Sequence, residues 1–232
     1  MDFAIATFCF GDRYYTQTNR FIDSFKLIND KPEVFVVTDN PNKIKKLKFV
    51  NIINIKNFNE KYLEYGKKYH DFDFSVKRYA LKYAFNNGYD KVILTDTDAI
   101  ANQKNFNEEN IQKCFFEDTL AGPVTYDYMK KPGRRFRFVE YEKNFNVEFD
   151  RKLLTEMSED CVQYININGD KKEKFLDTWD ECIKIKYEKN LSNRPAGNID
   201  EMCFSSLYNG IKLKNNIKYS EGILNNLHDK WY

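Results

Sequence analysis

The first apolar run, Phe3-Ala4-Ile5-Ala6-Thr7-Phe8, carries no charge and is too dense in hydrophobic side chains for a strand with one wet face. It stops at Gly11-Asp12, after which Tyr14, Phe21, Ile22 and Phe25 recur at helical spacing, so the pattern predicts strand, turn and helix in succession. Val34-Phe35-Val36-Val37, closed by Thr38-Asp39-Asn40-Pro41, and Ile52-Ile53-Asn54-Ile55 read as two further short buried strands. Between Asp73 and Gly88 the period changes to that of a helix: Val76, Tyr79, Ala80, Tyr83 and Ala84 share a face, Ser75 can cap the start and Gly88 can end it. The strand Lys91-Val92-Ile93-Leu94-Thr95 follows directly.

Strands alternating with helices build a mainly parallel sheet covered on both faces, an α/β fold of Rossmann-like type. Past residue 100 the pattern is mixed. Residues 120–124 and 161–167 read as strands, 172–187 as a helix and 200–208 as a shorter one. With no repeat and no linker-like stretch, the expectation is a single domain over residues 1–232. Its halves would be a nucleotide-binding part, 1–100, and an acceptor-binding α+β part, 101–232.

Composition narrows the class. Of 232 residues, 42% are hydrophobic, enough for a core, and 37 Lys+Arg against 35 Asp+Glu leave a net charge of only +2, which does not by itself suggest a polyanion binder. The longest nearly apolar stretch, residues 3–10, falls far short of the roughly 20 residues of a membrane-spanning helix. Asp2 stands where a secretory leader would carry a basic residue, so a cytoplasmic protein, bacterial or in a virus-infected host cell, is expected. Five scattered cysteines without a C-x-x-C read as free thiols. With only His70 and His228, any metal must rest mainly on carboxylates.

Asp96-Thr97-Asp98 stands where such carboxylates are useful. Parallel sheets bind ligands outside the carboxyl ends of their strands, and two aspartates alternating on an extended segment can share one hard cation, Mn²⁺ or Mg²⁺, with phosphate oxygens. An ordinary acidic turn is the bland alternative.

The segment Gly88-Tyr89-Asp90-Lys91-Val92-Ile93-Leu94-Thr95-Asp96-Thr97-Asp98 resembles the D-x-D region of the GT-A glycosyltransferases. Residues 5–8, 34–39 and Asn198-Ile199-Asp200-Glu201-Met202-Cys203-Phe204 are similar to the retaining family 6 enzymes, the blood-group and α-galactosyltransferase type. The resemblance implies a glycosyltransferase using a UDP-sugar and Mn²⁺ or Mg²⁺, with Asp96 and Asp98 on the metal. Thr7 and Phe8 would contact uracil and ribose, and Arg78 would lie against the diphosphate or brace the first Asp. Glu201, with Asp200 beside it, would sit under the anomeric carbon. His228 would be a third metal ligand, as in the glycogenin-like branch, and Lys230 or Trp231 part of a closing tail. The sequence departs from family 6 in having Ile199 where that family has His before Asp-Glu, and Gln163 at its acceptor-side His. Independently of any family, a fixed carboxylate can stabilise positive charge at a sugar carbon. Acidic residues are equally at home at a helix N-terminus without any catalytic role.

Two patterns remain. Residues 129–138 carry Lys130, Lys131, Arg134, Arg135 and Arg137 with Phe136 and Phe138 between them: a solvated loop, a surface for an anionic acceptor, or a donor-phosphate contact. Tyr62, Tyr65, Tyr69 and His70 read as packing residues. The acceptor expected is a glycan or other hydroxyl compound, with a modified nucleic-acid base as the less favoured alternative. From another class, a catalytically inactive nucleotide-sugar or glycan-binding module is the competing reading.

Overall fold

A computed structural model describes residues 1–57, 76–122, 125–126, 134–154, 157–158, 162–189, 191, 199–215 and 222–226. Ser75, the tyrosine cluster with His70, Lys130, Lys131, Cys161, His228, Lys230 and Trp231 lie outside them.

The chain begins with β1 (Phe3–Cys9), α1 (Asp12–Ser24), β2 (Glu33–Thr38) and β3 (Val50–Asn54), then continues with α2 (Lys77–Asn86), β4 (Lys91–Thr95) and β5 (Ala99–Ala101). Next come α3 (Glu108–Gln112), β6 (Thr119–Gly122), β7 (Thr125–Tyr126), α4 (Arg134–Phe145), β8 (Met157–Ser158) and β9 (Val162–Asn166). The last elements are α5 (Lys171–Glu188), α6 (Ile199–Tyr208), β10 (Lys212–Asn215) and β11 (Leu224–Asn226). Seven strands form one sheet in the order β10-β6-β9-β4-β1-β2-β3. All neighbours run parallel except β9, which is antiparallel to β4 and β6. Strands from both halves of the sequence therefore share one sheet.

Side chains that alternate along each strand divide the core into two layers. Ala4, Ala6, Phe8, Phe35, Val37, Val92 and Leu94 face the layer of α2, α4, α5 and α6, whereas Phe3, Ile5, Val34, Val36 and Ile93 face α1 and α3. This is why the runs read as continuously apolar: neither face of the sheet is wet. Aromatic rings fill the helix layer, where Phe204 of α6 meets Phe138, Tyr141 and Phe145 of α4 at 5.6, 5.2 and 5.0 Å between ring centroids. Gly88 ends α2 with φ +91°, a left-handed turn in which its N–H donates to the Phe85 carbonyl at 3.0 Å.

The basic segment is a correction. Residues 134–145 form α4, whose core face is Phe138 and Tyr141, while Phe136 stands 58% exposed. The cations masked a helical period in the sequence. The described cysteines, Cys9, Cys114, Cys182 and Cys203, are buried free thiols, as expected. Among the described residues no helix is long and apolar enough to cross a membrane.

Candidate functional site

From β1 the chain steps outward to β2 and β3, then returns to place β4 on the other side of β1. The reversal opens a crevice at the carboxyl ends of β1 and β4. At the β1 end, Gly11 turns the chain straight into α1 with φ +83°, a conformation that favours glycine. At the β4 end stand Asp96, Thr97 and Asp98. The two strands are tied there by the Thr7 hydroxyl, which donates to the Thr95 carbonyl at 2.7 Å. Thr7 is fully buried, and its side chain bolts the two strands together. Phe8 lies beneath the edge, packed at 6.2 Å from Phe10.

Thr97 points inward and is buried, leaving Asp96 and Asp98 half-buried on either side of it. The Lys77 ammonium, on the first turn of α2 and 1% exposed, lies 2.7 Å from Asp96 Oδ1 and 5.5 Å from the centre of the Phe8 ring. The brace on the first aspartate thus comes from Lys77. Arg78, the residue expected there, pairs with Asp180 of α5, and its Nη2 donates to the Tyr79 hydroxyl at 2.9 Å. Burial raises the Asp180 carboxyl above its usual range despite that arginine. Sequence spacing could not tell which of two adjacent cations at a helix start faces the sheet edge.

Two part-exposed carboxylates suit a hard divalent cation that keeps places for phosphate oxygens and water. Among the described residues no group of three or more His, Cys, Asp and Glu side chains is placed to hold a metal by itself. Directly after the aspartates, β5 pairs antiparallel with β11, setting Asn226 opposite Ala99. Residues 224–226 are thereby brought back beside the strand that follows the D-x-D segment.

Asp200 and Glu201 occupy the first turn of α6, both 0% exposed. Arg137 of α4 reaches Asp200 Oδ2 at 2.5 Å. Lys186 of α5 lies 3.1 Å from Glu201 Oε1, to which the Tyr141 hydroxyl donates at 3.4 Å. Burial, and then the charge of Glu201, push the Asp200 carboxyl well above the usual carboxylate range, while the adjacent guanidinium pulls the other way. Burial and Glu201 likewise raise Tyr141 and Cys182. Two ion pairs thus join three helices inside the core. Arg137 is spent on this inner pair, which none of the readings of the basic segment foresaw. The signal was available: two acids in the otherwise apolar turn of Ile199 to Phe204 require buried cations nearby. Ile199 and Gln163, the departures from family 6, are both buried.

A mainly parallel sheet with a topological switch and a carboxylate pair at the carboxyl ends of its strands defines the doubly wound α/β class. Its particular form is the GT-A glycosyltransferase fold. The chain matches the galactosyltransferase LgtC, solved in complex with donor and acceptor sugar analogs, with a TM-score of 0.53 over 91% of this chain and 72% of that one, at 12% sequence identity. The likeness is one of fold and does not single out family 6. No protein-family model and no curated protein matches the sequence.

Proposed function

We propose that the chain is a metal-dependent glycosyltransferase that moves a sugar from a UDP-sugar to a hydroxyl acceptor, a glycan in the first place, with retention of anomeric configuration. The observation that carries this reading is the Asp96-Thr97-Asp98 segment at the β1/β4 switch point with Lys77 against its first carboxylate. Asp96 and Asp98 would hold Mn²⁺ or Mg²⁺, which when bound neutralises charge on the departing diphosphate. Lys77 fixes the Asp96 carboxylate and adds a positive charge to the phosphate side of the crevice. The β1 end and its Gly11 turn receive the nucleoside, and Phe8 supplies the floor.

His228 follows two residues after Asn226, a reach of at most roughly 7 Å from a residue already paired beside Asp98, which supports it as a third ligand. Lys230 and Trp231, further along the same tail, would close over the diphosphate. Glu201 holds Lys186 and Tyr141 through Oε1, and among the described residues Oε2 has no hydrogen-bond partner. That oxygen is the one we assign to positive charge at the anomeric carbon, with Asp200 fixing the helix end through Arg137. Arg78 braces α2 against α5 and supports the donor site from behind.

Release of free UDP from a panel of UDP-sugars, with and without Mn²⁺, tests the activity. Metal-dependent release supports it. Tight UDP binding with no turnover on any donor or acceptor points to the binding module instead.

A further inference from the structure

We propose that the flank of the molecule built from residues 40–57 and the end of α1 docks on an anionic phospholipid surface. This goes beyond the reading of the sheet edge as a donor site and does not depend on it. Residues 40–57 carry five lysines, Lys43, Lys45, Lys46, Lys48 and Lys56, and no acid, in a chain whose total charge is only +2. All five are exposed. They lie around β3, the last strand of the seven-stranded sheet, on the segment that links it to β2 and just past its end. The backbone that presents them is fixed. Ile44 is 3% exposed, and the Asn19 side chain of α1 donates to the Lys43 carbonyl and accepts from the Lys45 N–H, both at 2.8 Å. Leu47, Phe49 and Val50 pack half-buried on the core below.

Asp23 of α1 pairs with both Lys45 and Lys26, which brings the end of α1 against the segment. Leu27 follows there at 79% exposure, the most exposed large apolar side chain among the described residues. Over residues 21–57 lysines outnumber acids seven to four, and the acids, Asp23, Asp30, Glu33 and Asp39, all precede the lysine-rich segment. The chemistry selects the partner. Lysines are hydrated point charges suited to a plane of phosphate headgroups, whereas nucleic acid is held with arginine forks and stacking rings. No arginine lies in residues 40–57, and Phe49 packs on the core. An exposed leucine beside the cations suits the acyl boundary of a bilayer and adds nothing to the binding of a polyanion.

Cosedimentation with vesicles of phosphatidylcholine and phosphatidylglycerol, roughly seven to three, and with vesicles of phosphatidylcholine alone tests the assignment. Wild type should bind the mixed vesicles, leave the neutral ones, and lose most of its binding between about 50 and about 300 mM salt. Lys43→Gln/Lys46→Gln/Lys48→Gln should weaken partition by about 100-fold, at about fivefold per lysine. Leu27→Ser should weaken it by about tenfold. Lys174→Gln/Lys184→Gln/Lys189→Gln, with the same net charge but changed at exposed positions on and just after α5, should lose less than about fivefold. Wild type that ignores the mixed vesicles, or either flank variant binding them as tightly as wild type does, overturns the proposal. So does tighter binding, at the same salt, of a single-stranded RNA oligonucleotide that depends on the three lysines and not on Leu27, because the flank would then belong to nucleic acid.

Discussion

Replacing Arg137 with Met tests the buried charges directly. The change keeps much of the side-chain volume and removes the guanidinium that lies 2.5 Å from Asp200 Oδ2, on a residue with no exposure to solvent. Asp200 would then share a dry site with Glu201 without the guanidinium that faces it, a change that favours the neutral acid. Breaking a buried pair from one side typically costs about 3–5 kcal/mol. Protonation sets a ceiling. The interval from the ordinary carboxyl value of 3.8 to pH 7, at about 1.4 kcal/mol per unit, limits the loss to about 4.4 kcal/mol. The sign of the pH dependence follows. A carboxyl whose folded value is raised binds more protons folded than unfolded across that window, so its contribution is most favourable at low pH and is lost as pH rises. The deficit of Arg137→Met against wild type should therefore shrink as pH falls, to at most about 1.6 kcal/mol at pH 5. Urea unfolding followed by circular dichroism at pH 5 and pH 7 measures both values. The double variant Arg137→Met/Asp200→Asn should recover most of the loss, because the amide needs no counter-charge. A deficit below about 1 kcal/mol that does not change with pH would falsify the ion pair as described.

Asp98→Asn should abolish most metal-dependent turnover while leaving the urea midpoint unchanged; full activity removes the metal assignment. Lys77→Met should weaken UDP binding in the presence of Mn²⁺ yet strengthen binding of Mn²⁺ alone, as followed by spin-resonance titration, and a change of the same sign in both refutes the role given to Lys77. Thr7→Val should cost about 1–2 kcal/mol of stability through loss of the buried hydrogen bond to the Thr95 carbonyl, with UDP affinity unaltered within twofold. A marked loss of affinity would return Thr7 to the nucleoside. Gly88→Ala, forced to φ +91°, should lower stability by about 1 kcal/mol without touching activity.

The sheet was readable because its strands are buried on both faces. Residues 3–8, 34–37 and 91–95 needed no partner information to be recognised, and Asp96 and Asp98 could be placed at a binding edge from strand order alone. The structure confirms the strand placement and the GT-A fold. What sequence could not give was direction. Lys77 and Arg78 are neighbours at a helix start, and only the packing of α2 between β1 and α5 sends one to Asp96 and the other to Asp180. Helix α4 was hidden for a related reason. Its amphipathic period is broken by Phe136 on the outside and by Arg137, whose charge finds a partner only in Asp200, 63 positions further along the chain. Pairings at that separation leave no trace in a local period. The tie between β5 and β11, which brings residues 224–226 back beside the strand after the D-x-D segment, is equally invisible to it.

The charges at the crevice form a consistent set once Lys77 is counted. Asp96 and Asp98 alone would make a strong isolated cation trap and would repel a diphosphate until that cation arrived. With the Lys77 ammonium at 2.7 Å, the three side chains sum to a single negative charge. That is too little for these side chains to hold a divalent ion tightly by themselves, and with the ion in place the sum turns positive, which attracts a diphosphate. Ion and nucleotide would then be retained better as a pair than singly. The buried position of Lys77 sharpens the effect, since a charge held away from water acts on its neighbours through a lower effective dielectric. In the helix layer the same accounting has a different outcome. Arg137 and Lys186 match Asp200 and Glu201 one for one, so that centre is neutral, whereas the sheet edge keeps a residual negative charge.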